Sequence, residues 1–176
     1  MLASAKRRNE ALGVLDDYMV KPDLSLLEKT RIQAQVLVPV MKALRAELGR
    51  DKADAIVRTA LREWSSRMFA EIGKSIEGNP GRKFAKLNRA LEEVTAKEVT
   101  FEMHRQEKEV LEFDVTSCRF AEFFRALGEP GLGALLVCNT DIDIAAAGGD
   151  DVSFRREQTL MQGAPSCTFR YKFAPR

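Results

Sequence analysis

The sequence predicts an α+β fold in which helices come first and an antiparallel sheet with the order β-β-α-β-β follows, packed against those helices. Two observations predict it. Apolar residues recur every three or four positions through the first half, which is typical of amphipathic helices. Beyond Lys97, apolar and polar residues alternate, which is typical of half-buried strands. Because the two kinds of element are segregated along the chain, we expect one antiparallel sheet covered by helices.

A loop that can supply a helix cap separates the first two predicted helices. Residues 4–17 are weakly amphipathic, and the loop Lys21–Ser25 follows them. From there the apolar spacing predicts a long helix that ends at Gly49, a residue suited to a C-terminal stop. Pro39 lies inside this run and lacks a backbone donor, so we expect it to kink the helix or split it in two.

Two further helices are predicted before the period changes. Asp51 opens the first of them with an acid-rich turn, which suits the positive end of a helix dipole. The loop "EGNPG" at residues 77–81 ends it. A third helix is predicted over about residues 82–97, with apolar side chains again three and four positions apart.

The second half is predicted to contain two β-hairpins around a helix. Residues 99–118 alternate on both sides of a charged centre, which indicates a hairpin with its turn near Gln106–Lys108. Residues 119–128 return to helical spacing, and a short helix is predicted over about 131–138. Residues 152–173 indicate a second hairpin whose turn is "QGAPS". The sheet needs the helices to cover its apolar face, so we expect one domain over 1–176, with a helical half to residue 97.

Composition limits the classes of function. The chain has 176 residues, with 28 basic and 26 acidic side chains and a net charge of +2. Such a balance gives no electrostatic footprint for nucleic acid or an anionic membrane. No apolar run approaches the roughly 20 residues of a membrane span, and no secretory signal is recognisable, so we expect a cytoplasmic protein. The long amphipathic helix around Pro39 could be core or the contact face of a homo-oligomer.

The three cysteines, Cys118, Cys138 and Cys167, each fall at the boundary of a predicted element. Such positions can converge at one edge of a sheet. Three thiolates with the carboxylate of Asp141 would suit a zinc or iron ion, although the spacing matches no known knuckle. The alternative is that free cysteines are small core residues.

Several acidic residues near these cysteines could move protons. Cys118 falls at the N-terminus of a predicted helix, where the helix dipole favours a thiolate, and Glu122 lies one turn later on the same face. Asp141 and Asp143 would share one side of a strand, or cap the N–H groups of a turn. His104 is the only histidine, and we expect it to be exposed in mid-strand.

The segments "CRFAEFFRALGEPGLGALLVCNTD" and "RREQTLMQGAPSCTFRY" together resemble the L-2-amino-thiazoline-4-carboxylic acid hydrolase family. The resemblance covers about residues 114–172. One departure is Thr168, where an acid often follows the last cysteine in the family pattern. The matching positions are Cys118, Ala121, Glu122, Leu127, Gly128, Cys138, Asn139, Asp141, Arg156, Gln158, Thr159, Gly163, Ala164, Cys167, Phe169, Arg170 and Tyr171. The order of elements also looks like that of vinyl-reductase-type ligand-binding domains, which concerns fold and not function.

The resemblance implies hydrolytic opening of a small cyclic thiazoline at its C=N carbon, at a site made by the three cysteines and Asp141. Two mechanisms stay open. In one, a divalent metal held by Cys118, Cys138, Cys167 and Asp141 activates water. In the other, Cys118 attacks the carbon while Asp141 or Glu122 moves protons.

The resemblance also points to residues that would hold the substrate. Asn139 falls at a family position, and Arg156 or Arg170 could hold a substrate carboxylate with paired hydrogen bonds. The alternative class of function is a small-ligand or metal-binding module without catalysis.

Overall fold

The computed structural model describes residues 23–74, 76–146 and 151–174. The predicted helix over residues 4–17 lies outside the described residues. Two long helices open the described chain, α1 (Leu26–Leu48) and α2 (Arg50–Lys74), and α3 (Pro80–Thr95) follows. The predicted helices are thus confirmed with ends that differ by a few residues.

The ends of α1 follow from its sequence. Ser25 and Glu28 form a capping box in which each side chain accepts from the backbone N–H of the other residue. The helix ends at Gly49, whose φ of 79° is readily adopted only by glycine. The predicted split at Pro39 does not occur, because α1 runs unbroken through it. The side chain of Pro39 is exposed.

The sheet contains four antiparallel strands in the order β1-β2-β4-β3. They are β1 (Val99–Gln106), β2 (Val110–Cys118), β3 (Val152–Arg155) and β4 (Cys167–Phe173). The first hairpin and its turn are confirmed. Burial alternates along β2 and β4, so one face of the sheet packs in the core and the other faces outward.

The core lies between the inner face of the sheet and the helices. Strand residues such as Phe113, Phe169 and Tyr171 pack there with Phe69 of α2 and Phe84 of α3. The rings of Phe113 and Phe169 stack with centroids 4.8 Å apart. Among the described helices, none combines the length and the apolar character that crossing a bilayer requires.

Short helices connect the two hairpins and carry several predicted site residues. After β2 come α4 (Arg119–Ala126) and α5 (Pro130–Gly133), then a π-helical turn (Ala134–Cys138) and α6 (Thr140–Ala146). Asp141 and Asp143 were predicted in a strand or a turn, and that prediction is wrong, because both lie in the first turn of α6. Two residues apart on a helix, their side chains point in different directions.

Tight packing fixes the position of α5 and the π-helical turn. A Cβ atom on Gly133 would lie 2.4 Å from Sδ of Met161 and 2.7 Å from the Phe124 side chain. Only glycine therefore fits where α5 crosses α4. A π-helical turn is a locally widened helix that is frequent at functional sites.

The second hairpin exists, but its first strand is shorter than predicted. Strand β3 stops at Arg155, and the chain then forms an irregular segment and a 3₁₀ turn (Leu160–Gln162) before β4. The cause is that contacts made by local side chains replace the backbone hydrogen bonds that a longer β3 would form with β4. Thr159 caps the 3₁₀ turn, and Arg156 turns inward toward Asp141.

Candidate functional site

Cys118 lies where β2 passes directly into α4. Burial raises the pKa of the Cys118 thiol, and nearby N–H groups of Ala121 and Phe120 offset part of that rise. These N–H groups approach the sulfur without meeting the geometry of a capping hydrogen bond. The helix terminus therefore favours the thiolate, as predicted, but burial has the larger effect, and the thiol stays protonated at neutral pH.

The other two cysteines approach the same region from different elements. Cys138 ends the π-helical turn, and burial raises its pKa to about 12, with the charge of Asp141 adding to the rise. Cys167 begins β4 and is buried. The backbone N–H of Leu160 donates to Sγ of Cys167 over 3.1 Å. Burial also raises the pKa of the Cys167 thiol.

Ionised forms of the three thiols act on one another electrostatically, and their meeting in one shared site stays a prediction. Negative charge on Cys118 or Cys167 raises the pKa of Cys138, and negative charge on Cys118 raises the pKa of Cys167. Asp141 acts on all three. We call Cys118, Cys138, Cys167 and Asp141 the thiol cluster.

Asp141 is held by Arg156. Nη1 of Arg156 lies 2.5 Å from Oδ2 of Asp141, and Nη2 donates to the carbonyl oxygen of Cys138 over 3.0 Å. The guanidinium group lies over the rings of Phe169 and Phe154, 5.5 Å and 5.8 Å from their centroids. One arginine thus joins the carboxylate, the end of the π-helical turn and the aromatic inner face of the sheet.

The pKa of Asp141 is shifted toward neutrality. Burial raises it from 3.8 to about 6, the attraction of Arg156 opposes the rise, and the charge of Asp143 adds to it. At pH 7 this carboxyl group is mainly ionised, yet it can accept and return a proton with little driving force in either direction. That property suits a general base or acid.

Asp143 has a structural partner instead. Its side chain is 1% exposed, and both oxygens accept from Arg58 of α2 over 3.0 Å and 3.1 Å. This paired contact fixes α6 against α2. Arg58 was not predicted, because 85 residues separate it from Asp143 and no spacing rule connects them.

Glu122 and Asn139 lie at the edge of the thiol cluster. Glu122 is exposed on α4, and its charge contributes to the raised pKa of Cys118. Asn139 is half-buried between the π-helical turn and α6, where its carbonyl oxygen accepts from the N–H groups of Ile142 and Asp143.

Arg170 lies on the opposite, outward face of the sheet. Its Nη2 is 2.7 Å from Oδ1 of Asp114, and its Nη1 donates to the carbonyl oxygens of Phe113 and Phe169. His104 is exposed, as predicted, and its Nε2 lies 3.3 Å from Oδ2 of the same Asp114. Arg170 and Arg156 are therefore separated by the sheet and cannot hold the same small molecule.

A groove of about 470 Å³ runs along that outward face and is distinct from the thiol cluster. It is lined by Glu112, Ser153, Phe154, Arg155, Glu157, Thr168, Arg170 and Lys172. Acidic and basic side chains both line it, and Arg155 pairs with Glu157. None of these lining residues is a cysteine.

The positions of the side chains do not support the predicted metal site. In the described ranges, no group of three or more His, Cys, Asp and Glu side chains is arranged to hold a metal ion. Asp141 is already paired with Arg156, and burial favours protonated thiols over the thiolates that a metal needs. These donors do not fit an ion as they stand, so zinc or iron stays a prediction.

Tyr171 is a site neighbour that the sequence analysis did not assign. Burial raises its pKa well above the usual range, and the charge of Asp141 contributes. Its position could have been inferred from the strand period, because Cys167, Phe169 and Tyr171 alternate along β4 and share its inner face.

Comparisons with known proteins identify a family for this chain. The family model of the L-2-amino-thiazoline-4-carboxylic acid hydrolases matches residues 29–171. The chain belongs to this family. The family match includes α1 and α2 from residue 29 on, which the motif resemblance did not reach. No curated protein matches the chain.

A solved structure shows a similar fold. It is the phenol-responsive sensory domain of the transcription activator PoxR with phenol, with a TM-score of 0.51 and 16% sequence identity. The similarity covers 78% of this chain and 72% of that one. At this identity the likeness concerns the fold alone, and the comparison with vinyl-reductase domains stays a prediction.

Proposed function

We propose that this member of the family is a hydrolase that opens a small cyclic amidine of the thiazoline type at the thiol cluster. One observation carries the proposal. Asp141, with a pKa of about 6, lies among three thiols and is held in place by Arg156. A positioned carboxylate of that pKa can take a proton from an attacking group near pH 7.

The reaction is the addition of water to the C=N carbon of the ring. Asp141 takes a proton from the attacking water and returns it to the ring nitrogen or sulfur as the bond from the central carbon to that atom breaks. Cleavage of the carbon–sulfur bond releases a thiol, and cleavage of the ring carbon–nitrogen bond releases an amine. In both cases the product equals the substrate plus one water, and no oxidant or reductant is needed.

Cys118 offers a second route in which its sulfur attacks the carbon first. Burial raises the pKa of the Cys118 thiol, whereas the pKa of Asp141 is about 6. Moving the proton from Cys118 to Asp141 before the attack is therefore unfavourable. The proton passes to Asp141 as the sulfur–carbon bond forms and the C=N double bond opens, and Asp141 then protonates the ring nitrogen or sulfur as its bond to that carbon breaks. Water next attacks the same carbon, and the Cys118 thiol leaves, so the net reaction is again the addition of one water.

The substrate would contact the edge of the cluster. We assign Glu122 and Asn139 to this edge, where an exposed carboxylate and a half-buried amide can hydrogen-bond to ring substituents. Arg156 is already bound to Asp141 and to the Cys138 carbonyl, so its main task is to orient Asp141. Arg170 could bind a substrate only on the outward face of the sheet.

The direct test is turnover of 2-amino-thiazoline-4-carboxylate by the purified full chain. We expect a product that gains the mass of one water, and thiol and amine assays identify the bond that breaks. Cys118→Ser, Cys138→Ser and Cys167→Ser should each lower kcat/KM by about 100-fold or more, with little further loss when combined. Three mild and independent losses would contradict a shared site.

Ser117→Ala is the matched control for these variants. Ser117 is exposed and lies directly before Cys118 at the end of β2. The activity of Ser117→Ala should therefore stay within about twofold of that of the unmodified chain. Elemental analysis of the same preparations, before and after dialysis against a chelator, tests the predicted zinc or iron. Full turnover by metal-free protein would remove the metal from the mechanism.

A ligand-binding module is the second candidate. It is favoured by the fold similarity to a sensory domain that binds phenol. In that case thiazolines or phenols would bind and raise the melting temperature, and no product would form from any cyclic amidine. Binding without turnover would therefore replace the hydrolase proposal with this one.

A further inference from the structure

One side of α1 presents large apolar side chains to the surface. Leu27, Ala34 and Met41 point into the protein and are at most 4% exposed. At 3.6 residues per turn, Val36 lies roughly 180° around the helix from Leu27. Val36 is 64% exposed, and Val40 is 48% exposed. Ile32 lies on the same side, and Leu26, Leu37 and Leu48 form a strip along its flank; these four side chains are 38–46% exposed.

We propose that this side of α1 packs against the same side of α1 in a second copy of the chain. The two helices run antiparallel around a two-fold axis, and Val36 lies beside Val40 of the partner subunit. Because the axis relates the two contacts, Val40 then lies beside the partner subunit's Val36. Such an isologous contact closes on itself and gives a dimer.

The charges on this side of α1 match that register. Lys29 lies seven residues before Val36, and Glu47 lies seven residues after Val40. Seven residues are about two turns, so both charges share the exposed side. The pairing of the valines places Lys29 beside Glu47 of the partner subunit, twice per dimer. In the described part of the chain, neither Lys29 nor Glu47 forms an ion pair.

The apolar area is on the scale that a dimer needs. The six exposed side chains of α1 expose roughly 450 Å² of mainly apolar surface per subunit. A standard interface buries about 800 Å² per partner, a little over half of it apolar. The face therefore supplies the apolar part of such an interface, and Lys29 and Glu47 belong to its rim.

The test is the molar mass of the purified full chain, measured by sedimentation equilibrium over a range of concentrations. We expect a dimer for the unmodified chain and a monomer for Val36→Glu. The matched control is Val94→Glu, which places the same charge at an equally exposed valine of α3, 59% exposed, and should leave the dimer intact.

Charge exchange tests the register itself. Lys29→Glu and Glu47→Lys should each weaken the dimer by about tenfold, because each creates two like-charge contacts. The double variant restores opposite charges and should recover most of the affinity. An unmodified chain that stays monomeric, or a double variant as weak as the singles, would overturn the proposal. Circular dichroism of each variant checks that a lower molar mass reflects dissociation of the dimer and not unfolding of the chain.

Discussion

Two aspartate–arginine pairs on opposite faces of the sheet differ in the pKa of the carboxyl group. On the inner side, burial raises the pKa of Asp141 to about 6 despite Arg156. On the outer side, burial also acts on Asp114, but hydrogen bonds from Arg170 and His104 outweigh it and lower its pKa. An ion pair alone does not decide the charge of a carboxyl group, because the number of cationic neighbours has to outweigh the loss of water.

The exposed fraction of the two side chains does not explain the difference. The Asp141 side chain is 33% exposed and that of Asp114 is 22% exposed, which is the reverse of what exposure alone would require. The surroundings explain it better. Asp141 is packed among thiols and beside Asp143, whereas Asp114 has two nitrogen-bearing partners. The inner pair is therefore suited to proton transfer and the outer pair to stability.

The largest expected contrast is in turnover. If the thiol cluster is catalytic, Asp141→Asn should lower kcat by about 100-fold or more, since it removes the general base. Asp114→Asn makes the same chemical change on the outer face and should leave kcat within about twofold. The assay is product formation with 2-amino-thiazoline-4-carboxylate, at matched melting temperature. Equal losses for both variants would refute the division between the two faces.

A second contrast is in stability. Arg58→Met leaves Asp143 buried without its partner and should lower the free energy of unfolding by about 2–4 kcal/mol. Arg170→Met on the outer face should cost about 1 kcal/mol, because Asp114 keeps His104 and some contact with water. Urea unfolding measures both. If the two losses are equal, burial of Asp143 is not the reason for the strength of the Arg58 contact.

The helices and the first hairpin could be predicted, because each has a local signal. Periodicity identifies α1, α2 and α3, and element boundaries place Cys118 and Cys167 at one end of the sheet. The helical α6 was missed, since Asp141, Asp143 and nearby alanines carry no distinctive period over seven residues. The direction of the Cys118 pKa was also missed, because it depends on burial, which a single helix does not reveal.

The distant contacts could not be predicted at all. Arg58 and Asp143 meet only after α2 packs on α6, and Arg170 could have pointed to either face until the register of β4 was known. A one-residue shift of a strand exchanges its two faces. The fold, and not the motif, therefore decides which partners each arginine contacts.

The smallest expected contrast is the dependence of stability on pH. The pKa of Asp141 is higher in the folded chain than its ordinary 3.8, so the folded state binds this proton more tightly. Its contribution to stability is complete below pH 3.8 and is lost as the pH rises to about 6. Asp114 has a lowered pKa, so its contribution is present above 3.8 and is lost as the pH falls through its folded value.

The two carboxyl groups should therefore give slopes of opposite sign in neighbouring pH ranges. The measurement is the free energy of unfolding in urea from acidic to neutral pH, for the unmodified chain and for Asp141→Asn and Asp114→Asn. We expect the free energies of unfolding of Asp141→Asn and the unmodified chain to diverge as the pH rises above 3.8. The free energies of unfolding of Asp114→Asn and the unmodified chain should converge as the pH falls below 3.8. Both effects should be smaller than that of Arg58→Met, since both side chains keep some contact with water. Slopes of the same sign would mean that Arg156 outweighs burial at Asp141, just as Arg170 and His104 outweigh it at Asp114. The pKa of Asp141 would then be lowered, and Asp141 would be too weak a base for the proposed reaction.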